Sequence, residues 1–170
     1  MVNVLFVCLG NICRSPMAEA IFKNLVIERS YSQSIHTDSA GTAGYHINKE
    51  PDRRTLEVLN KHAISTAHRG RKISLADLDA FDHIVVMDEA NFEDVHGLFH
   101  ENKHRPPSAD KLFLIRDYDP EVRGVQEVPD PYYESTAAFE EVYTILKRSC
   151  EGLLNHLIEL HQLEPDKEEE

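Results

Sequence analysis

A continuous apolar run near the N-terminus, Val4-Leu5-Phe6-Val7, stops at a polar turn containing Gly10. Pro16 then opens a helical pattern with Ala18, Ala20, Ile21, Leu25 and Val26 on one apolar face. A run that is apolar at every position reads as a strand covered on both sides, as parallel strands are. Proline suits the start of a helix because its missing N–H has no partner there. The alternation recurs along the chain. Ser34 to Ser39 is a weaker strand candidate closed by Ala40-Gly41, and Arg53 to His62 is a helix carrying Leu56, Val58 and Leu59. His83 to Met87 is the third strand, Glu89 to Phe99 a helix, and Lys111 to Ile115 the fourth strand. Residues 116–133 read as an Asp- and Pro-rich loop. Ser135 to Leu160 reads as a long amphipathic helix with Phe139, Val142, Ile145, Leu146, Leu153 and Leu157 inward. Strands alternating with helices indicate an α/β layer fold around a parallel sheet.

A chain of 170 residues fits one domain, taken as residues 1–163, with residues 164–170 as a frayed acidic tail. Lys and Arg number 18 against 30 Asp and Glu, a formal charge of -12, so non-specific nucleic-acid binding is excluded. No apolar run approaches the roughly 18 residues that span a bilayer, and the apolar start lacks the cationic flank of a secretory signal. Three cysteines (Cys8, Cys13, Cys150) are too few for a disulfide scaffold. A reducing, cytoplasmic compartment is expected, with the thiols available for chemistry.

In open α/β sheets ligands sit outside the carboxyl ends of the strands. The segment at the end of the first strand is Cys8-Leu9-Gly10-Asn11-Ile12-Cys13-Arg14-Ser15-Pro16. Between the thiol and Arg14 the backbone can curl so that successive N–H groups form an anion-binding nest, to which the helix N-terminus adds positive charge. Gly10 and Asn11 tolerate the positive φ such a curl demands. Arg14 supplies a planar fork for two oxygens of a tetrahedral oxyanion. A free thiol has a pKa of about 8.5, and helix N-termini or nearby cations lower it to about 3.5–7.5, which would make Cys8 an ionised nucleophile. Ser15 can donate its hydroxyl hydrogen to that sulfur. Cys-x5-Arg by itself arises by chance, and a cysteine ending a strand is ordinarily a small core residue. The joint context of strand, Gly-Asn curl, arginine, Ser-Pro and helix singles out Cys8.

This segment resembles the signature loop of the low-molecular-weight protein tyrosine phosphatases. Ser15-Pro16-Met17-Ala18-Glu19-Ala20, Asp38-Ser39-Ala40-Gly41-Thr42, Thr66-Ala67-His68, Val86-Met87-Asp88 and Asp130-Pro131-Tyr132-Tyr133 are similar to later landmarks of that family, in order. The resemblance covers roughly residues 2 to 160. It implies a four-stranded parallel sheet with helices on both faces, the phosphatase loop after the first strand, and hydrolysis through a phosphocysteine without metal or other cofactor. By resemblance Cys8 is the nucleophile, and Leu9 to Arg14 form the phosphate cradle with Arg14 as clamp. Ser15 stabilises thiolate and leaving group. Asn11 tied to Ser39 holds a left-handed bend, with Glu19 and His68 in support, and Cys13 is the redox partner of Cys8.

A general acid is needed to protonate the departing ester oxygen. The loop offers Asp119-Pro120 and Asp130-Pro131; the resemblance favours Asp130, and Asp119 reads as a turn former ahead of proline. Tyr45 and His46 align with the family's substrate-recognition loop, and with Tyr132 they are candidate walls of a slot deep enough for phosphotyrosine. Tyr132 and Tyr133 also admit a plain packing role. Ile12 stands where relatives acting on phosphoarginine carry threonine, which leans toward phosphotyrosine. Lys49, Arg53, Arg54, Lys61, Arg69, Arg71 and Lys72 either offset repulsion of an anionic substrate at the mouth or form an ordinary solvated surface. His96, His100 and His104 have helical spacing, but Pro106-Pro107 ends the helix early and no metal is expected there. Cys150 is read as core. The expected partner is a tyrosine-phosphorylated protein, met by a monomer. Rival readings are an arsenate reductase or arginine phosphatase on the same fold, or a non-catalytic phosphopeptide-binding module.

Overall fold

The computed structural model describes residues 1–102, 104–122, 124 and 126–168. In chain order its elements are β1 (Val2–Cys8), α1 (Arg14–Glu28), β2 (Ile35–Gly41), α2 (Arg53–Lys61), α3 (Leu75–Ala80), β3 (His83–Val86), α4 (Glu89–Glu101), β4 (Leu112–Leu114), a 3₁₀ turn (Ile115–Tyr118) and α5 (Thr136–Leu160). The strands form one sheet in the order β2-β1-β3-β4, every pairing parallel.

The twofold alternation of β1 divides the core. Val4, Phe6 and Cys8 face the side carrying α1, α2 and α5, where Phe6 meets Phe22 edge-on with ring centroids 5.4 Å apart. Leu5 and Val7 face the side carrying α3 and α4, against Leu78, Val95 and Phe99. Each fully buried aromatic or Leu contributes about 1.5–3 kcal/mol by leaving water. Cys150 is buried on α5, as expected of a core residue. Gly152 lets α5 pass close beneath the 3₁₀ turn, since a Cβ there would collide with the Tyr118 carbonyl.

β1 has neighbours on both edges, and the helices after β1 and β3 leave on opposite faces of the sheet. Their carboxyl ends therefore flank a crevice, the switch point at which such sheets bind ligands.

The structure departs from the sequence reading in several places. α1 starts at Arg14, putting Pro16 at the third helical position; the first turn's N–H groups lack intrahelical partners, so proline fits there equally. α3 was unforeseen; at six residues it has no amphipathic period to detect, only the Ser74/Asp77 capping box. The loop after β4 begins with the 3₁₀ turn. The tail is docked through residue 166: the Asp166 N–H donates to the Ser30 carbonyl, and its carboxylate accepts from Ser32 Oγ at 3.2 Å and the Gln33 N–H at 3.1 Å. Among the described residues no helix is long and apolar enough to cross a membrane.

Candidate active site

Cys8 ends β1, Cys13 caps α1, and the residues between them curl across the sheet edge. The bend is made by Asn11 at φ 56°; Gly10 is not left-handed, contrary to expectation, and its missing side chain instead gives room to the His46 ring. Cys8 Sγ receives the Asn11 N–H at 3.3 Å and lies 2.9 Å from Ser15 Oγ.

Asn11 is fully buried and uses all of its side-chain hydrogen-bonding capacity that geometry allows. Its Nδ2 donates to Ser15 Oγ at 2.9 Å and Ser39 Oγ at 3.0 Å, while Oδ1 accepts from the Arg71 N–H at 3.0 Å and faces His68 Nε2 at 2.7 Å. The Arg71 N–H fixes Oδ1 as the acceptor, so His68 carries its proton on Nε2. The other ring nitrogen, Nδ1, lies 3.2 Å from Glu19 Oε1. Two lone pairs at that distance would repel, so a proton stands between them. Burial pushes the Glu19 carboxyl up to about 7, in spite of the Ser39 hydroxyl donating to it at 2.7 Å. The expected group of Ser39, Glu19 and His68 is thus assembled behind the loop. Arg71 extends it by bridging Asp38 and Asp77.

Arg14 is buried. Its Nη1 donates to Asp88 Oδ2 at 2.7 Å and to the Val128 carbonyl at 3.0 Å, and Nη2 lies 3.7 Å from Asp130 Oδ2. The sequence reading assigned no role to Asp88 or Val128. Asp88 carried a usable signal: an Asp between a strand and a helix is a cap, and its Oδ1 accepts the Asn91 N–H at 2.8 Å. Its second carboxylate oxygen is thereby aimed across the crevice at Arg14.

The two Asp-Pro candidates separate cleanly. Asp130 lines the crevice with its side chain 47% exposed and accepts the Tyr132 N–H at 3.1 Å. Asp119 has a fully buried side chain, held between Arg116 at 3.0 Å and Arg148 at 2.8 Å.

The crevice is a cleft of about 330 Å³. Cys8, Leu9, Gly10, Ile12, Cys13 and Arg14 form its floor and lower wall, and Tyr45, His46, Asp130, Tyr132 and Tyr133 its rim. Tyr132 packs edge-on to Tyr133 at 4.8 Å and faces His46 at 6.5 Å, so the rim is aromatic. Arg54 holds the acid loop by donating to the carbonyls of Tyr132 and Glu134, both at 2.9 Å, with its head 4.3 Å from the Phe139 ring centre. Gly70 holds the opposite loop by exchanging hydrogen bonds with Asn48 and Lys49. None of the seven basic residues from Lys49 to Lys72 lines the cleft. Arg54 and Arg71 are internal ties, while Arg53 pairs with Glu57 and Lys61 with Glu140. His104 lies beyond the end of α4 and contacts Asp79 instead of sharing a face with His96 and His100.

Residues 3–164 match the family described as low molecular weight phosphotyrosine protein phosphatase. This chain belongs to that family. The low molecular weight phosphotyrosine protein phosphatase of Homo sapiens is 41% identical over 152 residues, 89% of this chain and 93% of that one. The low molecular weight protein-tyrosine-phosphatase YfkJ of Bacillus subtilis is 42% identical over 166 residues, 96% of this chain and 100% of its own. The crystal structure of YfkJ superposes with a TM-score of 0.85, covering 94% of this chain and 96% of that chain. A Drosophila arginine phosphatase superposes with a TM-score of 0.82 at 36% identity, covering 90% of this chain and 96% of its own. In this low-molecular-weight phosphatase, then, the resemblance first carried by the loop extends over nearly the whole chain.

Proposed function

We propose that this phosphatase hydrolyses phosphotyrosine in proteins through a phosphocysteine, with Cys8 as nucleophile, Arg14 as phosphate clamp and Asp130 as general acid. One observation carries the reading: sulfur and guanidinium from the loop after β1 and a carboxyl from the loop before α5 converge on one aromatic-rimmed cleft. The Cys8 thiolate attacks phosphorus in line. The P–O bond to the tyrosine breaks, and the phenolate oxygen takes its proton from Asp130. Asp130, now a carboxylate, takes a proton from water as that water attacks phosphorus; the P–S bond breaks, returning the thiolate and releasing inorganic phosphate. The Asn11 N–H and Ser15 hydroxyl stabilise the sulfur anion at both ends of the cycle, and Arg14 with the loop amides holds the equatorial oxygens.

The aromatic lining selects the substrate. Tyr45, His46, Tyr132 and Tyr133 line the same cleft as Cys8, so a slot walled by aromatic rings favours a phosphate carried on a tyrosyl ring over one on a short serine side chain. Ile12 gives the wall an aliphatic surface suited to a ring. The likeness to an arginine phosphatase makes phosphoarginine the second substrate to test. An arsenate reductase would relay electrons through further mobile thiols, and Cys150 is buried in α5. The test is turnover of matched phosphotyrosine, phosphoserine and phosphoarginine peptides with a chelator present. Phosphotyrosine is expected to be hydrolysed at least tenfold faster than the others, with no loss to the chelator. A faster phosphoarginine rate would reassign the substrate.

Cys13 is the proposed redox partner. Cys8 and Cys13 line the same cleft. Burial and the neighbouring Asp52 push the Cys13 thiol well up, so it stays protonated and Cys8 is the sulfur that peroxide oxidises. The resulting sulfenic acid condenses with the Cys13 thiol, releasing water and forming a disulfide. Peptide mass spectrometry after peroxide and thiol blocking is expected to find a Cys8–Cys13 link, and activity is expected to return with dithiothreitol. Sulfinic acid at Cys8 with no link would remove the role from Cys13.

A further inference from the structure

Behind the phosphatase loop, Glu19, Asp38 and His68 each turn one ligand atom toward a common point, all within 4.8 Å of one another. His68 Nδ1 lies 3.2 Å from Glu19 Oε1 and 3.8 Å from Asp38 Oδ1. Nitrogen and oxygen ligands at about 2.0–2.2 Å from a tetrahedral zinc ion stand roughly 3.3–3.6 Å apart, so the two distances from His68 Nδ1 are each within a few tenths of an ångström of that spacing.

The imidazole is also in the right tautomer. Its Nε2–H donates to Asn11 Oδ1, whose acceptor role the Arg71 N–H fixes, and this leaves Nδ1, which shares a proton with Glu19, as the ring nitrogen able to take a metal in that proton's place. Metal-binding histidines almost always donate their other ring N–H in this manner. The carboxylates are oriented too. Glu19 Oε1 accepts the Ser39 hydroxyl at 2.7 Å, Asp38 Oδ1 accepts the Ser39 N–H at 2.8 Å, and Asp38 Oδ2 is held by Arg71 at 3.0 Å. A surface cavity of about 490 Å³, lined in part by Glu19, Lys23, Thr66 and His68, adjoins the group, giving an ion a route in and room for a water ligand.

We propose that Glu19, Asp38 and His68 bind a small divalent transition-metal ion, with zinc the best match, at a site separate from the reacting centre. The ion replaces the proton between His68 and Glu19, so the Glu19 carboxylate supplies its full charge while Asp38 shares its own with Arg71. It touches neither Cys8 nor substrate, and it reaches the phosphatase loop at Asn11, through His68 on one side and through Glu19 and Ser39 on the other. Imidazole with carboxylates suits zinc or cobalt better than magnesium or calcium, which favour all-oxygen sets. The sequence reading placed no metal here, because the three ligands come from α1, β2 and the loop before α3 and share no local spacing.

The test is calorimetric titration of the full chain with zinc. It is run on wild type, on Cys8→Ser with Cys13→Ser to silence the cleft thiols, and on that double variant carrying Asp38→Asn or Glu19→Gln. Binding of one ion per chain is expected to persist in the thiol-free protein and to weaken at least tenfold with either further change. X-ray absorption of the zinc adduct of wild-type protein reads the site without any substitution: an oxygen and nitrogen shell with a single imidazole is expected. Sulfur in that shell, loss of binding in the thiol-free protein, or undiminished affinity in Asp38→Asn would each overturn the proposal.

Discussion

Replacing Cys8 with serine is expected to lower kcat by at least about 10⁴-fold while inorganic phosphate still competes for the cleft. Neither group on the sulfur is a base: one is the Asn11 N–H, the other the Ser15 hydroxyl. His68 is no substitute base. Its Nε2–H is given to Asn11, and its other nitrogen faces Glu19 behind the loop. A serine hydroxyl is a weak nucleophile unless a neighbour removes its proton, so the variant keeps the cradle and loses the attack. Arg14 and the loop amides remain to hold phosphate, and a product-inhibition constant within a few-fold of wild type checks this. A variant that retained a tenth of the turnover would require another nucleophile and would end the phosphocysteine reading.

Substituting the two Asp-Pro aspartates is expected to give opposite results. Asp130→Ala should slow esters of poorly acidic leaving groups by about 10²–10⁴-fold, equivalent to roughly 3–5 kcal/mol of barrier, and slow a nitrophenyl ester far less. Its carboxyl is half-exposed at the cleft, so thermal stability should barely move. Asp119→Asn should leave the leaving-group dependence unchanged and lower stability by about 3–5 kcal/mol, because Arg116 and Arg148 lose their buried counter-charge. For a chain of this size that is a fall in Tm of roughly 6–20 °C. The pH dependence has a definite sign. Burial works against ionising Asp119, but hydrogen bonds from Arg148 and Arg116 outweigh it and hold the carboxyl below its usual range. A depressed carboxyl stabilises the fold above the ordinary carboxylate pKa, and the benefit disappears as pH falls through the depressed value. Stabilities of wild type and Asp119→Asn should therefore converge in acid. Equal loss of turnover in both variants would undo the assignment of Asp130.

What was legible in the chain was what is local. Cys8 to Pro16 announced a strand, an anion cradle and a helix because nine consecutive residues carry all three. Apolar runs marked β1, β3 and β4, although β4 proved shorter than Lys111 to Ile115, while the polar β2 was only a weaker candidate and ran on to Gly41. Partnerships across the sheet were less visible. Arg14 and Asp88 are 74 positions apart, and only the β1–β3 pairing brings them together. The same limit hid the work of Arg54 and Arg71, which composition presents as free surface charge but the fold turns inward. The docking of Asp166 was hidden similarly, since its partners Ser30, Ser32 and Gln33 belong to the first third of the chain.

Arg14 is anchored by Asp88 and by the carbonyl of Val128. Cys8 therefore emerges from a ribosome long before the residues that orient Arg14. A partly synthesised chain has the sulfur yet no aligned guanidinium, so phosphatase power switches on only when the final third is in place. Refolding assays should show activity returning in step with β3 joining β1, and no truncated fragment ending short of the acid loop should dephosphorylate anything.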